Sequence, residues 1–296
     1  MPTPKLLTQQ LFRPTEYYQP KTVREAVSLL KYTGSKPICG GTDIMVERDP
    51  KIAVLVDLSK LPLGYIKESS GHILIGATTT IRQIELSRLF LREPLNILHD
   101  AIRDFGTIQV KNMASIGGNL CNGIPSADTP PALIALDAKV TVSGPRGFRR
   151  FPLEKMYRHV RILRLRKGEI LTEVRIPRQP AHTAAAYVRI VRSQVDIALV
   201  SAAVRITIDE QGKVEDCRIV LGAVAPTSLR ARKAENFLRG MVIGKDIIAE
   251  TGRKASQEAR PISDVRASAE YRRAMAAVLV ERAIRMATLR LGRVLN

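Results

Sequence analysis

"VKNMASIGGNLCNGIPSADTPPALIALDAKV", residues 110–140, decides how this chain is read. Gly-Gly-Asn precedes Cys-Asn-Gly, then Ser-Ala-Asp-Thr-Pro-Pro, then a clean apolar run. Turn formers this dense ordinarily make a surface loop, yet their order here is that of a backbone wrapping a ligand. The apolar run predicts a helix with Asp128 as N-cap and Pro130 in its first turn, where proline's missing N–H costs nothing. Ser115 offers a hydroxyl to a phosphate oxygen, Gly117 and Gly118 expose backbone, and Asn119 pins the loop or a ligand. "PICGGTDIMVERD" at 37–49 repeats the theme. Gly40 and Gly41 admit positive φ and close backbone approach, Thr42 adds a hydroxyl, and Asp43 fixes the turn or accepts from a ribose hydroxyl. Together the two loops could clasp a diphosphate from both sides. The competing account is local: a Gly-Gly turn after a strand is usually only a turn, Asp128 caps a helix with or without a ligand, and Asn119 can serve its own turn.

Other chemistries fare worse. No Lys-Ser/Thr follows either glycine pair, and neither is Gly-x-Gly-x-x-Gly opening a helix after a strand. Ser115 lacks the nucleophile-elbow context. His72, His99, His159 and His182 have no ligand spacing, so no metal site is expected. Cys39, Cys121 and Cys217 are odd in number and far apart, which points to small buried thiols in a reducing, cytoplasmic setting. The N-terminal "MPTPKLLTQQLFRP" has no apolar core and predicts no secretory signal. The most apolar helix candidate, "MAAVLVERAIRMA", is cut by Glu281, Arg282 and Arg285, so no membrane span is expected.

The net charge of +19 over 296 residues raises a nucleic-acid hypothesis. Against it, the excess is spread along the chain, aromatics are 4% with no Trp, and no nucleic-acid-binding motif occurs. The densest part, "RGFRRFPLEKMYRHVRILRLRK" at 146–167, reads as a solvated face or a dock for an acidic partner.

Outward from the central stretch the pattern is α+β. Thr22 and Glu25 form a capping box for a helix that Gly34 ends; "KPICGGTDIMV" is a short strand running into the Gly-Gly turn; "IAVLVDL" at 52–58 is a strand buried on both faces. "GHILIGATTTIRQIELS" is a strand followed by a helix boxed by Thr80 and Gln83. "PLNILHDAIRDFG" is a helix closed by Gly106, and "KVTVSGPRGFRRF" is a hairpin. "PRQPAHTA" at 177–184 reads as a linker. Beyond it, three strands precede helices near 228–239, 244–259 and 268–291, the pattern of a separate C-terminal domain.

The order of these segments closely resembles the flavin-binding medium subunit of the molybdenum hydroxylases, the group that includes xanthine and carbon monoxide dehydrogenases. The residues that carry it are "KPICGGTDIMV" at 36–46, "LIGATTTIRQIE" at 74–85, "IQVKNMASIGGNLCNGIPSADTPPALIALDA" at 108–138 and "GEILTEVRIP" at 168–177, with "VDIALVSAAV" at 195–204, "LGAVAPTSLRARKAE" at 221–235 and "PISDVRASAEYRR" at 261–273. They span nearly the whole chain, and the long middle motif is highly specific. The resemblance implies a two-lobed, PCMH-like FAD-binding domain over 1–178, with subdomains of about 1–60 and 61–178, and a strand-and-helix domain over 179–296. It implies that Pro37, Ile38, Cys39, Gly40, Gly41, Thr42, Asp43 and Ile44 grip the FAD diphosphate opposite Ala114, Ser115, Ile116, Gly117, Gly118 and Asn119, mostly through backbone N–H groups. Asp128 would hold a ribose or nearby hydroxyl, Phe105 would touch the cofactor, Ile170 or Leu171 would lie against the flavin ring, and Arg189 would sit near it. Core packing competes for Phe105, Ile170 and Leu171.

The resemblance further implies that this chain makes or breaks no substrate bond. A large subunit with a molybdenum cofactor would hydroxylate the substrate, and a small subunit with two 2Fe-2S clusters would relay electrons to FAD. NAD, oxygen, a quinone or another carrier would then take them, in a dimer of heterotrimers. The arginine-rich segment departs from the family pattern. A stand-alone flavin oxidase of the same fold would need a substrate base here, and no His or Tyr constellation serves.

Overall fold

The computed structural model describes residues 11–292; residues 1–10, most of the segment bearing on a secretory signal, lie outside them. The first lobe is a small parallel α/β unit: β1 (Glu16–Tyr18), α1 (Val23–Leu29), β2 (Ser35–Ile38), α2 (Ile44–Glu47) and β3 (Val54–Asp57), with strand order β1-β3-β2. All of β3 is buried, as expected for the central strand of a covered sheet. Two local readings change. The Glu25 carboxylate accepts from the Lys21 N–H (2.9 Å) rather than from its N-cap. The helix ends at Leu30, and Gly34, at φ +77°, serves the turn into β2.

At the end of β3, Asp57 accepts hydrogen bonds from Tyr17 Oη (2.5 Å), Gln19 Nε2, the Ser59 N–H and Ser59 Oγ (each 2.9 Å). Burial alone would push its carboxyl up, but these donors hold it below the usual range. A carboxylate lowered by folding stabilises the fold above its ordinary pKa of 3.8 and loses that contribution as pH falls through the folded value. Asp57→Asn is therefore expected to cost about 1–2 kcal/mol at neutral pH, with the gap to the parent closing below pH 4 in urea titrations.

The second lobe holds β4 (Ile66–Ser69), β5 (His72–Gly76), α3 (Ile81–Leu86), α4 (Asn96–Arg103), α5 (Ile108–Met113), α6 (Ile116–Asn122), α7 (Thr129–Ala135), the hairpin β6 (Lys139–Gly144) and β7 (Gly147–Pro152), the pair β8 (Tyr157–His159) and β9 (Ile162–Leu163), and β10 (Ile170–Pro177). Its five-stranded antiparallel sheet runs β4-β5-β10-β6-β7. Both Thr80–Gln83 capping bonds form. The 115–119 stretch, expected as an open loop, is the start of α6: Ser115 is its N-cap, accepting from the Gly118 N–H at 3.1 Å.

The C-terminal part is an antiparallel sheet of β11 (Thr183–Ile190), β12 (Val200–Ile208), β13 (Val214–Gly222) and β14 (Leu229–Arg230), followed by α8 (Arg232–Leu238), α9 (Lys245–Glu258) and α10 (Ala269–Arg290). The helix expected from 228 starts later because Leu229–Arg230 pairs with β13. Every residue of β12 is buried because the sheet is covered on both faces. Ala186, Ala202 and Val204 face α9 and α10, whereas Ala185, Tyr187 and Ala203 join the core of the second lobe beside α4 and α7. Arg290 clamps this arrangement, donating to both Asp100 oxygens (2.7 and 2.9 Å) and to the Ala185 carbonyl (2.6 Å).

Candidate functional site

A cleft of about 690 Å³ opens between the two N-terminal lobes, within the size range of cofactor pockets. One wall is the turn from β2 into α2 and the other is the start of α6, with Phe105 and the segment 163–171 completing the lining. The α6 wall is anchored through backbone within its own lobe, to the segment between β5 and α3. The Ile116 and Gly117 N–H groups donate to the carbonyls of Thr79 and Ala77 (both 2.9 Å), and Ile81 N–H donates to Ala114 O (2.9 Å).

Three glycines decide the geometry in different ways. A Cβ on Gly40 would lie 1.8 Å from the Met113 carbonyl oxygen, so this glycine lets the β2 turn touch the end of α5. A Cβ on Gly117 would lie 2.6 Å from Ala77 O. On Gly118, outside the neighbouring helix backbone, the one atom among the described residues within 4 Å would be Ser115 Oγ at 3.0 Å, because this position faces the cleft. The first two glycines build the fold; the third leaves room for a ligand.

The donors are distributed unevenly. Among the described residues, the N–H groups of Gly41, Thr42, Asp43 and Ile44 meet no protein acceptor, and the turn carries Gly41 at φ +69°. Successive free N–H groups in such a turn form an anion cradle. On the α6 side the expected backbone grip is largely taken. Ile116 and Gly117 donate as above, Asn119 to Ser115 O (3.0 Å), and only Gly118 points to a rotatable hydroxyl, that of Ser115.

Nearly all the residues expected to hold a cofactor line this cleft: 37–44, Phe105, Ala114, Ser115, Gly117, Gly118, Asn119, Ile170 and Leu171. Three do not. Ile116 is fully buried in the second lobe's core. Asp128 makes no capping bond; its carboxylate instead accepts from Tyr187 Oη (2.6 Å) and Arg189 Nη1 (3.0 Å) of β11. Arg189 is spent on that pair and on the carbonyls of Asp104, Gln194 and Asp196. Burial pushes the Asp128 carboxyl up, against the pull of Arg189 and Tyr187. Tyr187 escaped the sequence reading, although strand alternation from Arg189 places it on the same face. Asn119 ties α6 to α7, its Oδ1 accepting from Thr129 Oγ1 at 2.5 Å.

The cleft also holds residues that the sequence reading did not single out: Glu47, Asn122 and Arg161. The arginine-rich segment thus divides. Arg149 is internal wiring, bound to Glu169 (2.7 and 2.9 Å) and to Arg164 O (2.7 Å), while Arg161, Arg166 and Lys167 line the cleft. Burial pushes the Cys39 thiol up, away from the thiolate form that a nucleophile needs. Among the described residues no His/Cys/Asp/Glu group of three could hold a metal.

The comparisons bear directly on this cleft. Residues 12–179 match the family described as the FAD binding domain in molybdopterin dehydrogenase, and residues 185–287 match the CO dehydrogenase flavoprotein C-terminal domain. The chain belongs to this family. It is 33% identical to the carbon monoxide dehydrogenase medium chain of Afipia carboxidovorans, over 93% of this chain and 97% of that one. It is 32% identical to subunit alpha of the 6-hydroxypseudooxynicotine dehydrogenase complex of Paenarthrobacter nicotinovorans, over 91% and 93%. In three dimensions it matches reconstituted CO dehydrogenase from Oligotropha carboxidovorans with a TM-score of 0.89 at 32% identity, covering 94% of this chain and 99% of that one. The chain is thus an FAD-binding oxidoreductase subunit of the molybdenum hydroxylase family. The cleft fits the cofactor: a free N–H cradle suits a diphosphate, and Gly118 leaves the opposite wall open.

Proposed function

We propose that this chain is the electron-transferring flavoprotein of a larger complex, taking electrons from a small subunit with two 2Fe-2S clusters and passing them to an external acceptor. The molybdenum cofactor would reside in a large subunit that oxidises the substrate, in an assembly of paired heterotrimers. The observation that carries the reading is the run of unengaged N–H groups from Gly41 to Ile44 facing Gly118 across the cleft. Thr42 would add a hydroxyl to this cradle, and Phe105, Ile170 and Leu171 supply apolar walls that keep water from the ring system. FAD supplies the step from single-electron delivery to two-electron discharge, while the protein orients it and excludes solvent.

The relatives support the assembly. One is named as a medium chain and another as a subunit of a complex, and a solved relative is described as lacking the Mo-pyranopterin moiety of its molybdenum cofactor. This chain's three cysteines fall short of the four ligands that one 2Fe-2S cluster takes, so the clusters belong elsewhere. Those thiols are free, in keeping with a cytoplasmic setting, and no helix among the described residues is long and apolar enough to cross a membrane. A division near residue 179 into cofactor-binding and docking domains completes the proposal.

The test is the visible spectrum of the protein purified with its partners, followed by mass analysis of the cofactor released on denaturation. Stoichiometric FAD is expected. A colourless protein that takes up no added FAD would overturn the reading.

A further inference from the structure

Arg161 lies in the turn between β8 and β9, with its backbone in the left-handed region at φ +58° and its N–H fixed to Gly123 O at 2.8 Å. Its guanidinium reaches across the cleft to Glu47 of α2 (2.5 Å) and to Asn122 of α6 (2.9 Å). Glu47 ends the short helix whose first turn is the donor cradle: its N–H donates to Asp43 O (2.8 Å). The cleft lining includes four cations, Lys36, Arg161, Arg166 and Lys167. Of these, Arg161 alone is joined by hydrogen bonds to both walls, at α2 and α6.

A diphosphate seated in the cradle brings two negative charges next to Asp43 and Glu47. Neutral N–H groups satisfy its oxygens but leave that repulsion unopposed. A guanidinium answers it, because its fork of donors matches phosphate oxygens and its charge is permanent. We propose that Arg161 is a counter-ion of the cofactor diphosphate. Its guanidinium pairs with Glu47 and Asn122, and cofactor binding would exchange the Glu47 carboxylate for phosphate oxygens. The inference rests on the FAD reading above and adds a charged ligand that neither glycine motif contains.

The exchange makes an asymmetric prediction. If Arg161 only latched the lobes together, removing either partner would break the latch, and both variants would weaken binding alike. If Glu47 competes with the cofactor, removing it frees the arginine. Apo full-length protein is titrated with FAD, following quenching of flavin fluorescence, and with ADP as a probe that carries the diphosphate without the flavin. Arg161→Gln is expected to weaken FAD and ADP together by tenfold or more, with a flatter salt dependence, while Glu47→Gln binds at least as tightly as the parent. Arg161→Lys, which keeps the charge and loses the fork, should fall between. Arg161→Gln within threefold of the parent would overturn the proposal, and so would Glu47→Gln weakened alongside it. Glu47→Gln leaves the strained turn untouched, so it still decides the matter if Arg161→Gln fails to fold. Failure of the parent to bind FAD would instead overturn the cofactor reading itself.

Discussion

Gly118→Leu is expected to abolish FAD retention, by a hundredfold or more in affinity, while the protein melts within a few degrees of the parent. The backbone there is helical, and a Cβ meets only the Ser115 hydroxyl, at 3.0 Å, which can turn away. The rest of a leucine side chain has to enter the cleft that the cofactor needs. Gly40→Ala and Gly117→Ala are the controls with the opposite signature. Their Cβ atoms would lie 1.8 Å from Met113 O and 2.6 Å from Ala77 O, backbone atoms that cannot swing aside. Overpacking of that kind costs about 1–3 kcal/mol or more, so these variants should lose stability first and cofactor as a consequence. Flavin content per folded protein, read beside thermal melts, separates the cases. A Gly118→Leu protein that keeps stoichiometric FAD would show that the cofactor's diphosphate does not pass this wall.

Arg189→Met should be the most damaging single change outside the glycines, lowering stability by about 3–5 kcal/mol at neutral pH. The pair it breaks is nearly enclosed, with side-chain exposures of 9% for Arg189 and 8% for Asp128. Removing the cation leaves a carboxylate facing only Tyr187 Oη, itself buried. A carboxyl raised by folding contributes stability that is present below its ordinary pKa of 3.8 and is lost as pH rises through the folded value. Without Arg189 that value climbs further, so the deficit should be small near pH 4 and full at pH 7. Asp128→Asn in the Arg189→Met background should recover part of the loss, since no buried charge then remains. Urea denaturation at the two pH values reads both effects. A deficit independent of pH would mean that Arg189 acts through its three carbonyl contacts rather than through Asp128.

Much of the fold was legible locally. The Thr80–Gln83 box, the Gly144–Gly147 hairpin and the wholly buried β3 all formed from short-range signals: cap chemistry, turn chemistry and an unbroken apolar run. The errors were equally local in origin. Gly-Gly-Asn at 117–119 reads as a loop by propensity, yet it is helical because Ser115 caps it and the N–H groups of Ile116 and Gly117 anchor to Thr79 and Ala77. Tertiary contact overrode a weak preference.

The sequence by itself determined the family, most of the longer helices and strands, and the two glycine-rich segments that would face each other, because those depend on residue types at fixed spacing. Only the tertiary structure decided what the charges do. Asp128 has the chemistry of a helix cap and turns instead to Arg189, sixty-one residues on, and Arg161 belongs to a basic run yet meets Glu47, one hundred and fourteen residues earlier. An ion pair is chosen by which side chains the fold leaves adjacent and poorly hydrated, and no local pattern along the chain records that adjacency.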